Sequence, residues 1–454
     1  MERASQVRPN TPTPRSFQCS RMFSTERFYS SGCFVCSFTY ILMADQQFTK
    51  IFHTEIDAND LQHYRKLADE EGDPDAQRIM GNLYLRGYTC LEQDQKKAID
   101  YYQRAAAQND GKALHNLALC HAYGEGVPVD LGIAVKHFEK AAGMDIPEAI
   151  YSLALCFEYG IIVEKDAAKA FERHQLASER GCKEAQHKMG ECYEQGIFVP
   201  QDYKKAVEYY ELAAAQGFVD AEHQLGACYE HGYGVEADMK KAVEMYDRAA
   251  NKGDPEAQFD LAVCYEHGEG VDRDLEKALS LYKLAAAQND MNALYNLAVF
   301  YHHGDFDGIV DYPKAVEYYT KAAEAGNPEA QYNLGNMYRK GEGVDVNHEK
   351  AAHYYRLASE EGNPCAQTNL AFCYYNGHGV EKDQKKAFAL FKTAAEQEHV
   401  GKPAAVHSLA TFYADGEHIE KDTGKAEELW KQNARAGYEP SQEELKNRNI
   451  KWEQ

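Results

Sequence analysis

An alanine returns along most of this chain at a nearly constant interval: Ala76, Ala113, Ala149, Ala185, Ala221, Ala257, Ala293, Ala330, Ala366 and Ala405. Its surroundings return with it, and seven of the ten periods are 36 residues long. A period of this length is one supersecondary unit. It cannot bury its apolar face alone, so neighbouring units must stack and contact mainly one another. The ten units are 74–110, 111–146, 147–182, 183–218, 219–254, 255–290, 291–327, 328–363, 364–402 and 403–438.

Numbering each unit from its alanine as position 0, a glycine or alanine stands at position 5 and a glycine at position 11 in all ten. Position 8 is mostly aromatic, as in Tyr193, Tyr229, Tyr265, Tyr338 and Tyr374. The spacing 0, 4, 7, 8, 11 is helical, and the glycine is where a left-handed cap would end that helix. A short GxGV-type loop and an Asp follow, then Lys-Ala, a pair of rings and Ala-Ala, as in DYKKAVEYYELAAAQG at 202–217. That stretch reads as a second amphipathic helix. The fold class expected is therefore all-α: a right-handed α-solenoid of about ten helix-turn-helix repeats with helical caps. DLQHYRKLADEEGD (60–73) reads as the second half of a repeat, giving a capping helix over 46–73. At the other flank Ser441-x-x-Glu444 reads as a capping box opening a polar capping helix over 439–454.

The pattern A-x(3)-LG-x(2)-Y-x(2)-G-x-GV-x(2)-D-x(2)-KA-x(2)-YY-x(2)-AA-x(2)-G resembles the Sel-1-like repeat, a relative of the tetratricopeptide repeat. The resemblance covers about 80% of the chain. It implies an α-solenoid serving as adaptor or scaffold. That family includes subunits of ER-associated degradation ubiquitin ligases, chitin synthase activators and secreted bacterial cysteine-rich proteins.

Six cysteines, Cys120, Cys156, Cys192, Cys228, Cys264 and Cys373, occupy position 7 on the core side. The secreted bacterial relatives pair such a cysteine within its own repeat, and that second cysteine is missing here. Cysteines one repeat apart would lie roughly 10 Å from each other, beyond disulfide reach. They read as small core residues, and reduced thiols suit a cytoplasmic setting. Residues 1–45 differ from the rest. The first 42 contain five arginines, no lysine and no aspartate, and their end lies in an apolar run, Cys33–Met43. This is a disordered leader ahead of a start at Met43, or a targeting segment. The second case would make the location mitochondrial or ER.

The side of the first helix away from the core carries a stripe. Position 2 holds His115, Tyr151, His187, His223, Phe259, Tyr295 and Tyr332; position 9 holds Glu158, Glu194, Glu230, Glu266 and His302. Position 10 adds Tyr123, Tyr159, Gln195, His231, His267 and His303, and position −1 adds Glu148, Glu184, Asp220, Glu256 and Glu329. The Glu-His pairs of YEHGYGV (229–235) and YEHGEGV (265–271) belong to this stripe. Rings edged by carboxylates suit a basic or aromatic-containing protein segment lying in a concave groove centred on units three to seven. Duplication that copied inert surface residues explains the same pattern, and both readings stay open here.

Other function classes are set aside. A net charge of −23 opposes nucleic-acid binding, and no apolar run is long enough for a membrane span. His231, His267 and His303 sit in successive repeats, too far apart to share a metal with bonds of roughly 2 Å. No nucleophile elbow, P-loop, HExxH or dinucleotide fingerprint occurs, so no catalytic residue, metal or cofactor is assigned. The reading is a non-enzymatic protein–protein interaction scaffold of unknown oligomeric state. Its alternatives are an adaptor of an ER-associated degradation ubiquitin ligase and an activator subunit of an enzyme such as a chitin synthase or kinase.

Overall fold

The structure is a computed structural model that describes residues 57–87, 91–304, 308–416 and 419–452. The leader, with the apolar run Cys33–Met43, lies outside the described residues. Each repeat is a helical hairpin, from Pro74–Arg86 and Gln95–Ala107 in the first to Lys402–Asp415 and Thr423–Arg435 in the tenth.

The ends of these helices follow from their cap residues. Asp73, Asp110, Asp254 and Asp290 each accept the backbone N–H three residues on and open a first helix. The Asp before Lys-Ala does the same for the second helix, as Asp166 does with Lys169 and Asp274 with Lys277, and Asn347 takes its place in repeat eight. Its own backbone N–H donates to the position 8 carbonyl, Asp274 to Tyr265 at 2.9 Å and Asp166 to Phe157 at 2.9 Å. One residue thus closes the loop and starts the next helix. Position 11 takes the left-handed conformation expected of it, as at Gly160, Gly232 and Gly268. Gly87 departs, with φ 74° and ψ 157°.

The core lies between the two helices of a hairpin and against the next hairpin. The position 0 alanines, the position 4 residues such as Leu225, Leu261 and Leu297, and the six position 7 cysteines are buried. Those cysteines form no disulfide, and burial pushes the thiols of Cys120 and Cys156 up to about 12. At the centre of each second helix stands a fully buried ring, among them Tyr102, Phe138, Tyr210, Tyr246, Tyr282, Tyr319, Tyr355, Phe391 and Trp430. Position 5 lies under it: a Cβ added at Gly226 would come within 2.4 Å of the edge of the Tyr246 ring. On the outer side the lysine after the cap covers the position 8 ring, with Lys205 5.0 Å from the Tyr193 centroid and Lys277 4.9 Å from that of Tyr265.

Packing divides the chain into two compact units, one running to Ala213 and the other from Ala214. Among the described residues the first begins with the helix Ala58–Lys66, capped by Asp57, and a π-helical turn, Leu67–Glu71. The second ends with the helix Glu439–Asn447. There the capping-box reading fails. The helix starts two residues before Ser441, and Ser441 is buried, its hydroxyl 3.0 Å from both His407 Nδ1 and Asn433 Nδ2. Ser441 stands 36 residues after Ala405 and takes the place of a position 0 alanine, with Leu445 buried at position 4.

Gly226→Leu should therefore be expensive, since the side chain has only the Tyr246 ring to displace: about 3 kcal/mol. Hydrogen exchange across repeats five and six would show it as lost amide protection, while Gly253→Ala, which meets nothing within 4 Å, should cost at most about 1 kcal/mol from its φ of 94°.

Candidate functional site

The stripe is half buried and already bonded to the rest of its repeat. Each position 2 ring packs on the central ring of the second helix: His187 on Tyr210 at 5.5 Å between centroids, His223 on Tyr246 at 5.6 Å, Phe259 on Tyr282 at 5.7 Å and Tyr295 on Tyr319 at 5.9 Å. Tyr151 lies against His174 and Tyr332 against Tyr355 in the same way. His187 and Glu184 are buried and present no face to solvent. The others keep an exposed edge.

The position 9 carboxylates have a structural duty that the helical wheel did not show. Tyr210 donates to Glu194 at 2.5 Å, Tyr246 to Glu230 at 2.6 Å and Tyr282 to Glu266 at 2.6 Å. In repeat three His174 replaces the tyrosine, and its Nε2 lies 3.0 Å from Glu158. In repeat seven His302 stands 3.4 Å from the Tyr319 hydroxyl. Burial drives the Glu194 carboxyl up against the opposing pull of the Tyr210 hydroxyl. At Glu158 burial also works upward, but the His174 hydrogen bond and the Lys188 charge outweigh it and hold the group at about 2. The sequence did contain a signal for these bonds. Glutamate occupies position 9 only where the central residue carries a donor sixteen residues later; opposite Phe138, Phe391 and Trp430 stand Ala122, Tyr375 and Ala414.

Position 3 of the following repeat joins the same network. Asn296 donates to the Tyr282 hydroxyl at 3.0 Å, Lys188 approaches Glu158 at 3.2 Å, and Asn116 donates to Asn82, which in turn accepts from Tyr102. Asp260 takes this role beside His223, at 2.8 Å from its Nε2. Burial opposes a charge on His223. Asp260, with Asp254 and Glu256 nearby, outweighs it and raises the imidazolium to about 9. A second missed residue is Glu222, whose buried carboxylate is clamped by Arg248 at 2.5 Å and Lys252 at 2.6 Å. Glutamine holds the equivalent position 1 in repeat six, where Gln258 donates to the Ala250 carbonyl at 3.2 Å.

Position 10 is the more open part of the stripe. His267 and His303 are exposed, Tyr159 and His231 half exposed. His231 rests on Tyr233 at 5.4 Å and His303 on His302 at 4.8 Å. The Glu-His pair is therefore split: Glu230 and Glu266 tie two helices together, while His231 and His267 lie outward. Among the described residues no three His, Cys, Asp or Glu side chains gather as a metal site would need, and no helix is long and apolar enough to cross a membrane.

These features define a helical-repeat scaffold, with a surface built from the first helices. The Sel1 repeat model matches residues 74–110, 111–145, 147–182, 183–218, 219–254, 255–290, 292–327, 328–363, 366–399 and 403–438, and the chain belongs to that family. A crystal structure of a protective antigen present in uropathogenic Escherichia coli strains, displaying an SLR fold, is 32% identical and superposes with a TM-score of 0.51. That match covers 82% of this chain and 86% of the antigen. Two ERAD-associated E3 ubiquitin-protein ligase components of Arabidopsis thaliana, HRD3B and HRD3A, are 36% and 34% identical over 67 residues. Those segments are 15% of this chain, and the chain spans only 11% and 10% of the two plant proteins.

Two measurements test the network. In a double-mutant cycle of Tyr246→Phe and Glu230→Ala, the pair should couple by about 1 kcal/mol, read from amide exchange in repeat five; additive losses would mean that the bond contributes nothing. His223 gives a pH dependence. Its folded value, about 9, lies above the ordinary 6.5, so its contribution is complete below pH 6.5 and is lost as pH rises through 9. Protection of repeats five and six should fall across that window in the native protein and stay level in His223→Gln.

Proposed function

We propose that the protein is an interaction scaffold whose first-helix stripe holds a basic or aromatic-containing segment of a protein partner. The observation that carries this reading is the state of the rings in repeats six to eight. Phe259, Tyr295 and Tyr332 are half exposed, and each is already stacked on a buried ring. A ring fixed beforehand loses little rotamer freedom when a ligand covers it. Glu256, at 43% side-chain exposure, and the exposed Glu329 stand beside them and can accept from lysine or arginine. The net charge of −23 favours approach of the same class of partner. The coarser statement, a Sel1-repeat helical scaffold suited to protein–protein interaction, follows from the family. The plant ligase components favour a second reading, an adaptor of an ER-associated degradation ligase, through their short local match.

The test must spare Glu194, Glu230 and Glu266, which accept from the buried tyrosines. It also requires equal amide protection in both variants, because Glu256 lies 3.7 Å from His223 Nδ1 and Glu329 accepts from Asn363 at 2.7 Å. Glu256→Lys with Glu329→Lys reverses charge on the stripe. Glu244→Lys with Glu317→Lys makes the same change in net charge on exposed residues of second helices. A basic peptide immobilised on a sensor should lose affinity for the first variant by at least about tenfold and keep it for the second. Equal affinities in the two variants would move binding off the stripe.

A further inference from the structure

Repeats three and four break the pattern in two places, and both breaks meet at one cavity. The central ring of repeat three is His174, smaller than the tyrosine that holds its place in repeats four to eight. The second glycine of the GxGV loop is replaced by Ile162 in repeat three and Phe198 in repeat four. In repeats two, six, eight and nine that glycine lies against the preceding second helix, and a Cβ at Gly126 would come within 2.6 Å of the Gln95 carbonyl oxygen. Ile162 and Phe198 nevertheless keep left-handed backbones, φ 61° and 63°. Such strain in an isoleucine or phenylalanine is uncommon and points to a use. Phe198 is 58% exposed and rests on Phe171 at 5.7 Å.

Behind Phe198 is a cavity of about 50 Å³, lined by Glu158, Phe171, His174, Lys188, Glu191 and Phe198 among others. A water needs only ~10–15 Å³ on the same kind of measure, so the space holds more than one small group. Two carboxylates face one ammonium, with Lys188 Nζ 3.2 Å from Glu158 and 3.5 Å from Glu191. The imidazole is 2% exposed, and burial favours its neutral form. With Nε2 on the Glu158 carboxylate the proton belongs there. Nδ1 is then a buried acceptor, and it has no hydrogen-bond partner.

We propose that this cavity between repeats three and four takes the side-chain ammonium of a lysine from a protein partner. The ammonium would donate to His174 Nδ1 and to the carboxylates, while the methylene stem lies along the exposed Phe198 ring. Three donors on a compact head match three acceptors, and the rings add a cation–π contact. The proposal rests on the reading that the scaffold binds a basic segment, and gives that reading one anchoring site.

His174→Tyr tests it, because tyrosine restores the regular repeat: its hydroxyl should reach Glu158 as Tyr210 reaches Glu194, and its ring should fill the cavity. The full chain would be titrated calorimetrically with the capped peptide Gly-Gly-Lys-Gly-Gly and with the same peptide acetylated on the lysine. The expected result is binding of the unmodified peptide only, at least about tenfold weaker in His174→Tyr, with a melting temperature equal to or above that of the native protein. Phe198→Gly should also weaken binding without unfolding the chain. Undiminished binding in a folded His174→Tyr, equal binding of the acetylated peptide, or no heat with the native protein would each overturn the proposal. In the last case the cavity holds water only. The scaffold reading then stands if Glu256→Lys with Glu329→Lys still abolishes capture of the longer basic peptide, and falls with it if that pair changes nothing.

Discussion

The buried ring at the centre of each second helix is the contact on which the repeat turns. Tyr246 shows its three duties. Its edge fills the space that Gly226 leaves, its face carries His223, and its hydroxyl donates to Glu230. A hairpin of two 13-residue helices is too short to be stable by propensity. One large side chain that is apolar on its face and polar at its tip joins both helices of its own repeat. Where the following repeat supplies a position 3 partner, as Asn296 does for Tyr282, it also links successive repeats. Burying the phenol without an acceptor would cost about 1–3 kcal/mol, which is why the carboxylate or an asparagine appears wherever the hydroxyl does.

The loops are specified with equal economy. A single Asp caps the second helix with its side chain and closes the turn with its backbone N–H, so the connection has one geometry over several sequences. The glycines of the loop allow it to lie directly on the preceding second helix, as Gly126 does over Gln95. This fixes the spacing of successive hairpins within a unit by backbone contact, independently of the side chains they expose.

What the sequence made legible was whatever repeats along one helix. The 36-residue period, the helical spacing, the left-handed glycines and the buried position 7 cysteines could all be read by counting. Bonds between helices were harder. Tyr246 and Glu230 are sixteen residues apart, and a helical wheel of either helix alone sends Glu230 away from the core. Comparing repeats within the chain would have found the bond, since glutamate stands at position 9 only where tyrosine or histidine follows sixteen residues later and is absent opposite phenylalanine and tryptophan. Ser441 misled for a related reason. Its capping-box spacing is real, but the repeat register makes it a buried counterpart of alanine, and register decides.

Recurrence therefore carries different information at different positions of the stripe. A residue that recurs because it holds two helices together, such as Glu194 or Glu266, is not free to be optimised for a ligand, since changing it unpairs a buried phenol. Residues that vary without such a bond are the ones a partner can select. His267 at position 10, with Ile162 and Phe198 where five other repeats hold a second loop glycine, are of this kind. His174 belongs with them although it is buried, because it keeps the glutamate bond while giving up the ring size and the hydroxyl. In an array built by copying one unit, the departures from the copy that leave the fold intact are where specificity is to be sought.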